Sequence, residues 1–271
     1  MAKHLRSKFS VAEKKTIFGL IAVIVIALGG QLIFYNQRTT VQPVSGGVFI
    51  EGVLGEPQII NPLYSRPNTV EGDLAKLIFS GLVKLGPGRD ILPDLAESWE
   101  IQNNGKTYLF HLRGDLKFQD GENLDANDVV FTMQVLHDPA YSGQLKSDWQ
   151  SIVAGVVDDQ TVRFDLPEPS TFFLAKATVG ILPEHLFAHL PVADIGEPKY
   201  NRQPVGSGPY KFVPASAGQE NITLEPSPYY YDGEALIGKI VFTSFDNESS
   251  MYSALANGNI TAAGFYTTVE T

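Results

Sequence analysis

Two short segments of alternating apolar and polar residues flank residues 103–106 and predict a β-hairpin. The first runs from Ser98 to Ile101 and the second from Thr107 to Leu112. The linking Asn-Asn-Gly-Lys contains an Asn-Gly pair, and both of its residues tolerate the positive φ that a tight hairpin turn requires. The alternation predicts that one face of the hairpin carries Trp99, Ile101, Tyr108, Phe110 and Leu112.

A capped helix is predicted directly after this hairpin. Asp120-Gly121 marks a turn, and Asp125 is suited to accept hydrogen bonds at a helix N-terminus. The helix is expected to end near Asp138-Pro139, because proline cannot continue it. Its apolar positions follow the helical spacing: Val129, Val130, Met133 and Leu136.

The rest of the chain alternates between strand-like and helix-like patterns. Strands are predicted over 48–53, 151–166, 210–213, 222–225 and 240–245. Helices are predicted over 73–83, ending at Gly81 or Gly86, from Pro183 onward, and over 249–257 with Gly258 as C-cap.

Composition supports a folded chain and removes cysteine chemistry. The 271 residues are 44% hydrophobic and 18% charged, with 25 Gly and 17 Pro, which suits many short strands and turns. Cysteine is absent, so the sequence has no disulfide framework, no thiol nucleophile and no cysteine metal site.

Residues 17–35 form an uncharged apolar stretch of about the length that a membrane-crossing helix needs. Five basic residues and one acidic residue precede it, so the positive-inside rule predicts a cytoplasmic basic segment at 1–16 and export of the remainder. The stretch is interpreted as a retained anchor, and a cleaved signal segment ending before Gly30 is the alternative. Polar residues at 36–46 predict a linker.

The exported part is acidic. Since residues 1–16 are net positive by four, the remaining chain carries −14 of formal charge against −10 for the whole. This balance argues against nucleic-acid binding, although acidity also serves simply to keep an exported protein soluble.

Several motifs, in the same order along the chain, resemble the family 5 bacterial extracellular solute-binding proteins, the peptide and nickel binders of ABC importers. The resemblance covers about residues 48–266, and each motif alone is weakly specific. The matching elements are Asn61-Pro62-Leu63, residues 78–82, residues 92–99, Gly206-Ser207-Gly208-Pro209-Tyr210-Lys211, residues 226–230, residues 239–242 and residues 254–260.

The resemblance implies a mixed α/β (α+β) fold, a periplasmic-binding-protein-like type II lobe with a β-rich accessory domain, preceded here by one transmembrane helix. Order along the family assigns 47–64 and 165–262 to the first lobe and 65–164 to the accessory domain. Residues 263–271 correspond to the start of the hinge crossing. The second lobe is expected to be absent, so the chain is interpreted as a fragment of a longer reading frame.

Candidate ligand-binding residues follow from position relative to the family's elements. The loop after Asn61-Pro62 and the segment before the helix at Pro183 are where the first lobe would meet ligand. Trp149 is added because it stands in a polar context, with local packing as the alternative. The candidates are Arg66, Asn68, Thr69, Trp149, Thr178, Gly180 and Tyr266.

Other chemistry is weaker in this sequence. His185 and His189 have the spacing of two metal ligands on a helix, but a third ligand is not evident, so we expect no metal and no cofactor. Ser207 lacks the Gly-x-Ser-x-Gly context of a nucleophile. Carboxylate pairs such as Asp125 with Asp128, and Asp158 with Asp159, suit capping and turns better than a two-acid hydrolase.

The sequence therefore predicts a non-enzymatic protein that captures extracytoplasmic solutes, oligopeptides first, for an ABC permease. The expected partners are the solute, the transmembrane permease subunits and the membrane through residues 17–35, and nucleic acid is not among them. A sensor or scaffold domain with the same fold, or a membrane-anchored carboxylate hydrolase, is the alternative.

Overall fold

A computed structural model describes residues 11–38, 44–214 and 221–264. The chain divides into two compact units, residues 1–44 and residues 45–271. In the first unit, helix α1 spans Val11–Arg38 and contains the apolar stretch 17–35. None of the helices in the described ranges has the length and apolarity required to cross a membrane, so the predicted membrane anchor at 17–35 is not supported.

Within its described residues, the second unit contains two larger sheets and a short two-stranded ribbon. Its strands are β1 Gly46–Leu54, β2 Val83–Leu85, β3 Ile91–Pro93, β4 Ala96–Gln102, β5 Thr107–Leu112, β6 Val153–Asp158, β7 Thr161–Asp165, β8 Tyr210–Val213, β9 Ile222–Pro226, β10 Ile237–Phe245 and β11 Ala262–Ala263. Its helices are α2 Val70–Ile78, α3 Ala126–His137, α4 Lys146–Trp149, α5 Phe173–Lys176, α6 Glu184–Phe187, α7 Val192–Ile195, α8 Pro198–Asn201 and α9 Glu248–Ala256.

The five-stranded sheet has the order β11-β1-β10-β9-β8. Strand β1 runs parallel to both β10 and β11, whereas β9 and β8 are antiparallel to their neighbours. Parallel strands end at the same edge of a sheet, and in open α/β sheets ligands bind beside that edge. The edge is marked by Leu54 and Phe245, which lie opposite each other.

The four-stranded sheet has the order β4-β5-β7-β6 and contains the predicted hairpin. Trp99 lies opposite Phe110, and the turn residues Asn103, Asn104 and Gly105 have φ of 49°, 55° and 86°, so both the hairpin and its turn chemistry are confirmed. Ile101 remains 54% exposed because β4 is an edge strand.

A continuous hydrophobic core joins the two larger sheets. Buried side chains from β1, β10 and α2 belong to the same cluster as Phe110 and Phe164 of the four-stranded sheet. Since residues 45–271 form one compact unit, the division into first lobe and accessory domain stays a prediction.

Helix boundaries agree with the prediction where a side chain caps the helix locally. Asp125 caps α3, and Asp138 ends it, as expected. The helix predicted over 73–83 is α2, and both of its predicted ends are wrong. It begins after Thr69, whose side chain accepts a hydrogen bond from the Gly72 N–H, and it ends at Phe79, which adopts an extended conformation.

Asp128 is a buried carboxylate that joins the N-termini of two helices. Its two oxygens accept hydrogen bonds from the backbone N–H of Asp125, at 3.0 Å, and of Glu184, at 2.9 Å. Burial is the largest influence and raises the pKa of Asp128 to about 6 from its usual 3.8, although both hydrogen bonds act to lower it.

This raised pKa predicts a pH-dependent contribution to stability. The folded state binds the proton of Asp128 more tightly than the unfolded state does. The resulting contribution to the free energy of unfolding is complete below the unfolded pKa, at about pH 4, and is lost as the pH rises through about 6. Relative to Asp128→Asn, which cannot titrate, the wild-type free energy of unfolding should fall by about 2.5 kcal/mol between about pH 4 and pH 7. Urea unfolding at both pH values measures this difference, with exposed Asp159→Asn as the control. The prediction would be contradicted if the difference in free energy of unfolding between the wild type and Asp128→Asn did not change with pH.

Candidate ligand-binding surface

The loop that follows β1 presents the predicted binding residues of the first lobe. Arg66 and Asn68 are both exposed, and Asn68 has a φ of 60°. In the described part of the chain, neither side chain makes a hydrogen bond or an ion pair. A guanidinium offers five donors and a primary amide offers donors and an acceptor, so the pair suits a ligand rich in amide or carboxylate groups. We call residues 61–69 the ligand loop.

Thr69 belongs to the ligand loop but is occupied by helix capping. Its hydroxyl donates to the carbonyl of Arg66, at 2.8 Å, and accepts from the N–H of Gly72, at 3.1 Å. Thr69 therefore holds the end of the loop and does not offer an unused hydroxyl donor to a ligand.

The second predicted segment, residues 178–180, lies directly against the ligand loop. A Cβ atom added to Gly180 would lie 2.6 Å from Phe79 Cβ and 2.9 Å from Pro62 Cβ, so no larger residue fits there. The hydroxyl of Thr178 donates to the carbonyl of Ala175, at 2.8 Å. The structure thus brings Pro62 and Gly180 together, although they are far apart in sequence.

Trp149, another predicted binding residue, is not part of this surface. Trp149 is 1% exposed and packs against Phe164 and Phe173, at ring-centroid distances of 6.2 and 6.1 Å. The cleft-facing prediction for Trp149 is therefore wrong, because the polar residues that precede it lie on the outside of α4 while the indole is part of the core. Tyr266 lies outside the described residues.

Sequence reasoning missed the side chains that fix the ligand loop. Asn61 and Asn201 are 0% and 1% exposed, and the Nδ2 of Asn61 donates to the Oδ1 of Asn201 at 2.9 Å. The Asn-Pro element marks Asn61 as part of a motif, but its partner lies 140 residues away in the sequence, so no local pattern indicates the pairing.

The edge of the five-stranded sheet borders a depression of about 280 Å³. Two carboxylate residues, Glu56 and Asp246, are among those that line it, so cationic groups are favoured there over anionic ones. The side chain of Asn247 caps α9 at this edge by accepting from the N–H of Ser250, at 2.9 Å. The lining residues are Gly55, Glu56, Ser244, Phe245, Asp246 and Ser250.

The Gly206-Ser207-Gly208 element is a close backbone crossing. A Cβ on Gly206 would lie 2.1 Å from the carbonyl oxygen of Ile78, which excludes any side chain. Neither glycine has a positive φ, so what both positions require is space and not an unusual backbone conformation. Ser207 is 4% exposed and its hydroxyl accepts from the N–H of Ser80, which fits a structural role.

Gln119 clamps this crossing to the turn after β5. Its Nε2 donates to the carbonyls of Ile78, Gly208 and Tyr210, at 3.0, 3.2 and 2.7 Å. Its Oε1 accepts from the N–H of Gly206, at 3.1 Å, and its own N–H donates to the Gly206 carbonyl, at 2.8 Å. One side chain thus joins the end of α2 at Ile78 and the crossing at residues 206–210 to the turn that carries Gln119.

A second buried polar cluster surrounds Asp94. Burial is the main cause that raises the pKa of Asp94, and the hydroxyl of Tyr231 donates to its Oδ1 at 2.7 Å. Lys84 donates to the Tyr231 hydroxyl at 3.0 Å, and the guanidinium of Arg113 lies 4.4 Å from the centre of the Tyr231 ring. These contacts join β2 and the residue after β5 to the loop before β10.

His185 and the carboxylate pairs have structural partners. His185 Nε2 lies 2.8 Å from an oxygen of Asp120. Across the described ranges, no group of three or more His, Cys, Asp or Glu side chains is arranged to hold a metal ion. Asp125 and Asp128 form the capping box of α3, and Asp158 accepts from the N–H of Gln160, which confirms the capping and turn interpretations.

Comparison with known proteins identifies the family. The family model for bacterial extracellular solute-binding proteins, family 5 Middle, matches residues 90–270. The chain is 30% identical over 228 residues to the oligopeptide-binding protein AppA of Bacillus subtilis, covering 83% of this chain and 42% of AppA.

Solved structures show the same fold. The AppA structure, in complex with a nonapeptide, matches with a TM-score of 0.74 and 31% identity, over 81% of this chain and 44% of AppA. NikZ of Campylobacter jejuni, in complex with Ni(L-His), matches with a TM-score of 0.70 and 28% identity, over 79% and 42%. DppA of Helicobacter pylori, in complex with the peptide STSA, matches with a TM-score of 0.68 and 28% identity, over 81% and 46%.

The chain spans less than half the length of the relatives and structures described here. The family model covers about two thirds of the chain, and the motifs that suggested the family from sequence lie largely within the same range. The chain belongs to the family 5 bacterial extracellular solute-binding proteins.

Proposed function

We propose that the chain forms the first lobe of an extracytoplasmic solute-binding protein that captures oligopeptides for an ABC permease. The observation that carries the proposal is the ligand loop, in which two polar side chains are exposed and have no hydrogen bond or ion pair among the described residues. The backbone of the loop is held by the buried Asn61–Asn201 contact and by the Thr69 cap. Family membership supports a binding role, and the peptide complexes of AppA and DppA support peptides as the solute class.

The proposed division of labour follows the order of the family. Residues 47–64 and 165–262 build the first lobe, 65–164 the accessory domain, and 263–271 begin the crossing to a second lobe. The ligand is expected to contact Arg66, Asn68 and the segment 178–180 on one side and the second lobe on the other. Closure of two lobes on the ligand is then a population shift from the open to the closed form. Contacts between the ligand and both lobes favour the closed form.

The proposed mechanism is binding alone, with no covalent step and no cofactor. A peptide offers backbone amides and a terminal carboxylate, which Arg66 and Asn68 are able to pair with regardless of peptide sequence. Binding that relies on groups common to all peptides tolerates different side chains, as an importer of mixed peptides requires.

Arg66→Ala is expected to weaken binding of the tetrapeptide Ser-Thr-Ser-Ala by about threefold to tenfold, because it removes a charge-assisted donor from an exposed site. The measurement is a nuclear magnetic resonance titration of the labelled chain. Arg89→Ala is the matched control, since Arg89 is also an exposed arginine with no described ion pair but lies in the turn between β2 and β3. Equal effects of the two substitutions would contradict the proposed role of Arg66.

A further inference from the structure

The buried pair Asn61 and Asn201 uses all the hydrogen-bonding groups of both side-chain amides apart from one N–H of Asn61. The Oδ1 of Asn61 accepts from the N–H of Leu63, at 2.9 Å, while its Nδ2 donates to Asn201. The Nδ2 of Asn201 donates to the carbonyls of Ile195 and Glu197, at 2.7 and 2.8 Å. The pair therefore ties the start of the ligand loop to the segment that contains α7 and α8.

Only an amide satisfies both of these positions. Each side chain must accept on one atom and donate on the other, and a carboxylate in either position would set oxygen against oxygen. An apolar side chain would leave buried N–H and C=O groups without partners, which costs about 1 to 3 kcal/mol for each group. The choice of asparagine at both positions is thus dictated by the geometry.

Further contacts extend the constraint from Asn61 toward Arg66. The carbonyl of Asn61 accepts from the N–H groups of Tyr64 and Ser65, at 3.1 and 2.8 Å. The hydroxyl of Ser65 donates to the carbonyl of Ile59, at 3.1 Å, and Tyr141 donates from its hydroxyl to the carbonyl of Leu63. The backbone that leads to Arg66 therefore has its position set by the buried pair.

We propose that Asn61 and Asn201 are positioning residues, which hold the ligand loop so that Arg66 and Asn68 meet a peptide backbone at a fixed distance. The inference rests on the proposed function of this loop. A loop fixed before binding loses less conformational entropy when the ligand arrives, so the pair contributes to affinity without touching the ligand.

Asn61→Asp is the sharpest test, because its effect depends on pH. At neutral pH the introduced carboxylate still accepts from Leu63 but repels the Oδ1 of Asn201, whereas the protonated carboxyl of the same variant again donates to that oxygen. Tyr64 and Tyr141 lie close to Asn61, and burial raises the pKa of both, to about 12 for Tyr141, so they stay neutral throughout. The segment that carries Asn201 adds Glu197, whose carbonyl accepts from Asn201, and Arg202, whose guanidinium donates to Gln58.

Hydrogen exchange of the 271-residue chain measures the effect directly. In Asn61→Asp we expect the amides of residues 63–65 to exchange at least about tenfold faster than in the wild type at pH 7, after correction for intrinsic rates, with β5 and β7 unchanged. At about pH 4 the difference should fall to about twofold or less. Asn123→Asp, an exposed substitution with the same charge change, should not alter these amides.

Asn61→Ser provides a second variant that introduces no charge. Its hydroxyl is still able to accept from Leu63 but does not reach Asn201, so the same amides should exchange faster at both pH values. Unchanged exchange of residues 63–65 in both variants, or equal acceleration across β5 and β7, would overturn the positioning role.

Titration with Ser-Thr-Ser-Ala separates this inference from the proposed function. With both correct, the shifts of Arg66 and Asn68 amides in Asn61→Ser should be at least about threefold smaller than in the wild type at equal peptide concentration. An absence of peptide-induced shifts in the wild type would count against the proposed function, while the exchange comparison would still decide the role of the pair.

Discussion

Gln119→Leu is expected to lower the free energy of unfolding by about 3 kcal/mol or more, one of the two largest effects that we anticipate. Leucine is close to glutamine in size but offers no donor or acceptor. The substitution removes the side-chain donor of three backbone carbonyls and the acceptor of the Gly206 N–H. The Ile78 carbonyl keeps its bond from the Gly208 N–H, so the cost comes mainly from the other groups.

Gln119→Glu distinguishes hydrogen bonding from volume. The glutamate keeps an acceptor for Gly206 but turns an oxygen toward three carbonyls, so it should destabilise the fold at neutral pH even though its shape is conserved. Gln134→Leu, at an exposed position of α3, is the control and should change stability by less than about 0.5 kcal/mol. Urea unfolding followed by the fluorescence of Trp99 and Trp149 provides the measurement. A Gln119→Leu variant as stable as the control would show that this side chain does not join the three segments.

The second large effect concerns affinity. The 271-residue chain is expected to bind Ser-Thr-Ser-Ala with a Kd no tighter than about 1 mM, which corresponds to about −4 kcal/mol. A ligand held between two lobes has both of its faces covered, but this chain offers one proposed face, so about half of the contacts are available. A micromolar Kd would require about −8 kcal/mol from that single face.

DppA of Helicobacter pylori is the positive control for this titration, because its structure contains the same peptide. The expectation is fast exchange and incomplete saturation for the 271-residue chain, under conditions in which the control protein binds. Micromolar binding by the 271-residue chain would contradict the proposal that a second lobe supplies part of the site.

The sequence predicted those parts of the fold that depend on neighbouring residues. The hairpin turn at Asn103 to Gly105 and the cap of α3 at Asp125 are local, and both are confirmed. The predicted extent of α2 was wrong at both ends. Thr69, a candidate for ligand contact, is the N-cap of this helix, and Phe79 leaves the helix to pack in the core. The hairpin turn, the cap of α3 and the cap of α2 depend on contacts between residues a few positions apart, whereas the end of α2 depends on the burial of Phe79.

The candidate site was predictable in location but less so in detail. Order along the family placed Arg66 and Gly180 in two separate segments, and the structure brings those segments together at Pro62. The pairing of Asn61 with Asn201 and the clamp at Gln119 join residues that are distant in sequence, so no local pattern indicated them. Trp149 shows the reverse error, since a polar sequence context does not establish that a side chain is exposed.

The residue-by-residue map of the Ser-Thr-Ser-Ala titration tests the central claim most directly. If the ligand loop and residues 178–180 form the ligand surface of this lobe, the largest amide shift changes should fall on Arg66, Asn68 and the segment 178–180. The four-stranded sheet should remain unaffected. Shift changes confined to other surfaces would contradict the account. The absence of any shift changes at peptide concentrations well above about 1 mM, the tightest Kd expected for this chain, would also contradict it.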